Sequence, residues 1–205
     1  MELYDMSNQE QVAAFKKWLR EYGVPILFAV LLGIGGGYGI RYYRHVELLK
    51  SERASTLYQS TLMQMQQKKT KAAIVDAKQI VKKYPSTPYA TLANLLLAKI
   101  AVDQQQYYQA RDYLQLVMKG SKSKGLQQLA RLRYARIQLQ QNQPKQALAT
   151  LAVVDDSAFL PLIDERKGDA YVALGQHSQA QRYYQQAKLK FTAMGLSDAL
   201  LQLKQ

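Results

Sequence analysis

A chain of 205 residues that contains no cysteine has no disulfide framework, thiol nucleophile or thiolate metal site, and its length suits one compact domain plus a short appendage. Ala, Leu, Gln, Lys and Arg recur while Gly and Pro are confined to a few places, which points to a nearly all-α chain because those residues lose little freedom in a helix. The net charge of +13 is uneven, −1 over residues 1–40 and +14 over residues 41–205.

The first predicted element opens at Ser7-Asn8-Gln9-Glu10, a capping box, and places Val12, Phe15, Trp18, Leu19 and Tyr22 on one side of a helix. That side either lies in a membrane interface or extends a spanning helix. Between Glu21 and Arg41 run nineteen residues without a charge. As a helix they reach roughly 28 Å at about 1.5 Å per residue, enough to cross a hydrocarbon core of about 30 Å. Trp18 and Tyr22 precede the run and Tyr38, Tyr42 and Tyr43 close it, with Lys16, Lys17, Arg20, Arg41 and Arg44 as flanks. Aromatic rings and long cations prefer that interfacial depth. A cleaved signal peptide is disfavoured, since the leader carries Glu2, Asp5, Glu10 and Glu21 and no small-x-small site precedes Arg41.

The expected organisation is therefore an N-terminal segment 1–21, a single transmembrane helix 22–40 and a domain 41–205. Flanking charge does not orient the span, with Lys16, Lys17 and Arg20 on one side and Arg41, Arg44, Lys50 and Arg53 on the other. Within it, Gly33 and Gly37, and Gly35 and Gly39, form two overlapping GxxxG patterns. These fit close packing of another membrane helix, or a glycine-rich helix end with no partner.

Beyond Ser51, apolar residues recur at helical spacing between punctuated breaks at 84–88, 120–125, 141–144 and 174–178. Gly168, Tyr171, Gly175, Ala180, Tyr184 and Ala187 fall at the spacing of a tetratricopeptide repeat. Gly168 would let the first helix of the pair touch the second, Gly175 permits the turn, and Ala180 sits at the helix crossing, with Tyr184 and Ala187 packing on the following repeat. The same frame places Ala135, Ala147, Leu151 and Val154 in one earlier repeat and Ala98, Ala101, Ala110, Leu114 and Val117 in another. Ala110, Ala147 and Ala180 are 37 and 33 residues apart, near the period of about 34 of this repeat class. A weaker copy holds Ala73, Ala77, Ile80 and Pro85, and the final LSDALLQLKQ would shield the open end. The expected fold is an all-α solenoid of three to four helix pairs behind one transmembrane helix.

The stretches EYGVPILFAVLLGIGGGYGIRYYRH, YATLANLLLAKIAVDQQQYYQARDYL, LARLRYARIQLQQNQPKQALATL and RKGDAYVALGQHSQAQRYY, in that order, closely resemble the YfgM-type ancillary subunits of the Sec translocon. The likeness runs over nearly the whole chain. It implies a bacterial inner-membrane protein with its N-terminus in the cytoplasm and a tetratricopeptide-like domain in the periplasm. It also implies association with the translocon channel and with a membrane-anchored periplasmic chaperone of the parvulin type.

Catalytic chemistry finds no support. His45 and His177 lie outside any ligand spacing, no Ser/His/Asp context is recognisable, and no metal or cofactor is expected. Asp155-Asp156 and Asp164-Glu165 read as solvated charge. What remains is a binding surface. The repeat frame puts Leu92, Leu95, Lys99 and Val102, then Leu129, Leu132, Arg136 and Leu139, then Leu162, Glu165, Asp169 and Val172 on the concave side. Such a groove suits unfolded or translocating polypeptide, unless several of these leucines pack against the terminal helix. A +14 domain favours anionic partners, among them membrane lipid, or reflects glutamine standing for glutamate on solvated helix faces. Its cations are scattered rather than striped with stacking aromatics, so no nucleic acid is expected. The competing function is a scaffold for another cell-envelope assembly.

Overall fold

The computed structural model describes residues 8–153 and 156–195, so Ser7, Val154, Asp155 and the 196–205 segment lie outside the described residues. Among the described residues eight α-helices follow in chain order: α1 (Asn8–Gln66), α2 (Thr70–Lys83), α3 (Pro88–Asp103), α4 (Tyr107–Gly120), α5 (Lys124–Gln140), α6 (Pro144–Ala152), α7 (Leu160–Ala173) and α8 (His177–Ala193). A 3-10 turn at Ser157–Phe159 precedes α7, and no strand occurs among the described residues. The chain divides into two compact units, residues 1–49 and 50–205.

The first unit is the greater part of α1. Its apolar side chains point outward: Leu32 is 75% exposed, Phe28 62% and Val24 61%. By length and composition this helix is able to cross a membrane, and none of its most apolar window is buried. Phe15, Trp18 and Tyr22 form an aromatic ladder with ring centroids 6.1 and 6.2 Å apart. Pro25 lies inside the helix. A helix in a membrane accommodates proline when local adjustments re-satisfy the freed carbonyl.

The second unit is built on the opposite plan. The last turns of α1 pair with α2, and the pairs α3/α4, α5/α6 and α7/α8 follow. Each second helix carries an anchor alanine, Ala73, Ala110, Ala147 and Ala180, at 0 to 2% exposure. Five residues before each anchor, the backbone turns into the left-handed region, at Lys68 (φ 60°), Gln105 (59°), Asn142 (57°) and Gly175 (71°). The next amide in every case donates back across the turn: Lys69 to Gln64, Gln106 to Ala101, Gln143 to Gln138 and Gln176 to Tyr171, at 2.7 to 2.9 Å. This is a Schellman-type closure, which satisfies carbonyls that the helix end would otherwise leave unpaired. A single turn geometry used four times therefore sets the angle between paired helices.

The core follows the chain as three clusters, each at a junction between neighbours. Ala54, Ala77, Ile80, Ala93 and Leu97 form the first. Leu95, Ala98, Leu114, Val117, Tyr134 and Ile137 belong to the second. Leu132, Ala135, Ala147, Leu151 and Ile163 form the third. Burying one Leu or Val side chain contributes about 1.5 to 3 kcal/mol. Because the buried residues of each cluster come from three successive helices and no more, stability accumulates along the solenoid.

In the last pair, a Cβ built on Gly168 would stand 2.5 to 2.9 Å from ring atoms of Tyr184, so α7 meets α8 where only glycine fits. Tyr184 thus packs inside its own helix pair, and the segment that would follow it lies outside the described residues. The Tyr184 hydroxyl donates to Asp169 at 2.9 Å. Burial, and then that bond, hold its pKa well above the usual phenol range, keeping it a donor.

Candidate protein-binding site

Helix α4 packs against both α3 and α5. Between the walls of α3 and α5 lies a cavity of about 390 Å³, lined by Ala98, Lys99, Val102 and Asp103 on one side and Arg133, Arg136, Ile137 and Gln140 on the other, with Leu114 of α4. The lining positions on α5 are spaced three and four apart, one helical face. An apolar floor of Ala98, Val102, Leu114 and Ile137 under a cationic rim is the result.

This cavity gathers some of the concave residues expected from the repeat frame and omits others. Lys99, Val102 and Arg136 line it together. Leu95 and Leu132 are 6 and 7% exposed and belong to two core clusters, so they stabilise the helix pairs and do not line the cavity. Leu129 packs partly buried on the second cluster, and Leu139 and Leu162 on the third. Leu92 is half-buried and Val172 exposed. Arg133 is absent from the frame because it lies between the expected positions; its signal was its place one turn before Arg136 on the same face.

Asp164 and Glu165 depart from the solvated charge expected of them, being 4 and 6% exposed. Asp164 pairs with Lys190 of α8, and Glu165 lies 3.7 Å from Arg166, which in turn bonds Asp169 at 2.6 Å. A buried carboxylate needs such partners, because an unpaired one is strongly disfavoured out of water. The cluster ties α7 to α8. Among the described residues no group of three or more His, Asp or Glu is placed to hold a metal ion.

In the first unit, a Cβ on Gly33, Gly35, Gly37 or Gly39 would meet nothing within 4 Å. The glycine surface is open to a Cβ at each of the four positions.

A family model described as a tetratricopeptide repeat-like domain matches residues 16–205. The chain is 31% identical over 201 residues to an ancillary SecYEG translocon subunit from Aggregatibacter actinomycetemcomitans, covering 98% of this chain and 97% of that protein. It is 30% identical to the Haemophilus influenzae protein of the same name over 185 residues, 90% of each chain. With the corresponding Escherichia coli K12 protein it shares 28% identity over 204 residues, 100% of this chain and 97% of the other. No solved structure matches it. Since the similarity runs through the apolar helix as well as the repeats, the chain belongs to the tetratricopeptide repeat-like family of ancillary SecYEG translocon subunits.

Proposed function

We propose that the protein is a non-enzymatic accessory subunit of the Sec translocon, anchored in the inner membrane and holding a polypeptide-binding repeat domain beside the channel. The observation that carries this reading is the near full-length likeness to proteins named for that role. Residues 22–40 span the bilayer, residues 1–21 lie in the cytoplasm and residues 41–205 in the periplasm. The outward-facing apolar side chains of α1 support the span, since such a surface is stable in lipid and costly in water.

The two units divide the work. The glycine surface at Gly33, Gly35, Gly37 and Gly39 meets a helix of the translocon channel or of a membrane-anchored parvulin-type chaperone. The α3–α5 groove, with Lys99, Val102 and Arg136, receives unfolded or translocating polypeptide. Leu92, Leu129 and Leu139 continue its half-buried flank. Two weak contacts on one chain reinforce each other through raised effective concentration.

Cross-linking in intact membranes followed by isolation of the full-length protein tests this reading. SecYEG is expected among the attached proteins, and Gly33→Leu with Gly37→Leu is expected to weaken that association while leaving the repeat domain folded. Recovery of a different envelope assembly in place of SecYEG would instead support a scaffold elsewhere in the envelope. Protease added to sealed spheroplasts is expected to digest the repeat domain, and survival of the intact chain would reverse the orientation.

A further inference from the structure

Three cations gather around the α3–α5 groove, at Lys99, Arg133 and Arg136. Four other cations of the domain turn inward to partners within the chain. Arg111 donates to Tyr134 and Gln141, Arg131 to Gln128 and the Val153 carbonyl, Arg166 to Asp169, and Lys190 to Asp164. Lys99, Arg133 and Arg136 are exposed and line one cavity. Among the described residues, none of the three has a carboxylate within ion-pair distance. Asp103 is the acidic residue of the lining, leaving three cations against one carboxylate.

Like charges that outnumber their counter-charge repel one another, and a low-dielectric floor strengthens their field. An anionic occupant relieves that repulsion. Beneath the cations, Val102, Leu114 and Ile137 offer apolar surface to the same occupant, which a free inorganic anion has no means to use. We infer that the groove selects acidic, apolar-anchored segments of polypeptide, with Asp or Glu side chains on Lys99, Arg133 and Arg136 and a neighbouring apolar side chain on the floor. The inference rests on the groove reading proposed above and adds the chemical class of its ligand. Arg133 and Arg136, on adjacent turns of α5, grip carboxylates in planar, two-bond geometry where free to do so. Electrostatic attraction also speeds capture of a passing chain.

The test uses the full-length protein in phosphatidylcholine nanodiscs and a fluorescein-labelled ten-residue peptide alternating Glu or Asp with Leu. A second peptide carries Gln and Asn in place of the acids. Fluorescence anisotropy is expected to show the acidic peptide binding about fivefold tighter or more in low salt, with the gap closing near 0.5 M salt as exposed pairs are screened. Arg133→Gln with Arg136→Gln is expected to abolish the preference, and Arg133→Lys with Arg136→Lys to retain most of it. Val102→Asp is expected to weaken both peptides. Circular dichroism and a melting curve check each variant: the arginine substitutions lie on exposed positions, whereas Val102 is half-buried against the second cluster and its variant counts only where it melts with the parent. Equal binding of both peptides, weakened for both by Val102→Asp, would overturn the acidic preference while keeping the groove. Binding of the acidic peptide that ignores every groove variant would overturn both.

Discussion

Leu32 and Leu114 are the same residue type in one chain, yet the first is 75% exposed and the second 1%. The difference lies in their neighbours. Leu32 sits in an unbroken uncharged stretch of helix that is apolar all round, whereas Leu114 is spaced four residues from Ala110 and three from Val117 on a helix with a polar far side. A helix apolar all round needs an apolar surrounding, and one with a stripe finds it in other helices. Exposed leucine in the first unit and buried leucine in the second therefore pose the same hydrophobic requirement, met by protein in the second and, under the proposed membrane span, by lipid in the first.

The sharpest way to break this comparison is to shorten both leucines. Leu114→Ala is expected to destabilise the repeat domain by about 2 to 5 kcal/mol through lost burial and a residual cavity, measured as thermal unfolding of the full-length protein in detergent. Leu32→Ala is expected to leave that melting curve unchanged, and a matching loss there would place Leu32 in a protein core.

A smaller effect is expected at the α7–α8 contact. Gly168→Ala drives a methyl into the Tyr184 ring and is expected to cost about 1 to 3 kcal/mol, the usual range for overpacking. Combining it with Tyr184→Leu is expected to recover part of that loss. Ala180→Leu, at a position 2% exposed, is expected to cost a similar amount. Unchanged melting in both single variants would mean that the last helix pair is not packed as described.

The smallest effect has the opposite sign. Lys68 and Gln105 hold left-handed backbone that glycine adopts without strain. Lys68→Gly or Gln105→Gly is expected to stabilise the domain by about 0.5 to 1 kcal/mol, while Gly175→Ala is expected to destabilise it by about 1 kcal/mol. Chemical denaturation curves resolve changes of that size. The anchor is expected to be indifferent to all three.

These turns also explain what was legible in the sequence. Asn142 and Gly175 announce a left-handed turn by residue type, and both fall in breaks recognisable from sequence. Lys68 and Gln105 adopt the same geometry in stretches with neither Gly nor Pro, where tertiary packing of the flanking helices overrides local preference. The anchor alanines were legible because their spacing is a packing constraint. Burial of Leu95 and Leu132 was not, since the concave face and the core face of α3 and α5 differ by a fraction of a turn. Pairing of Asp164 with Lys190 was hidden for another reason: its partner lies 26 residues on, on a different helix.

The division of labour between anchor and groove is the central claim, and position-specific photo-cross-linking tests it most directly. A photoreactive residue is placed at Val102 or at Gly37 of the full-length protein, in membranes where translocation has been arrested with a secretory chain in the channel. From Val102 the account predicts adducts with the translocating chain, and from Gly37 adducts with a membrane-embedded partner. Adducts to the secretory chain from Gly37 but none from Val102, in a protein that is folded and inserted, would contradict it.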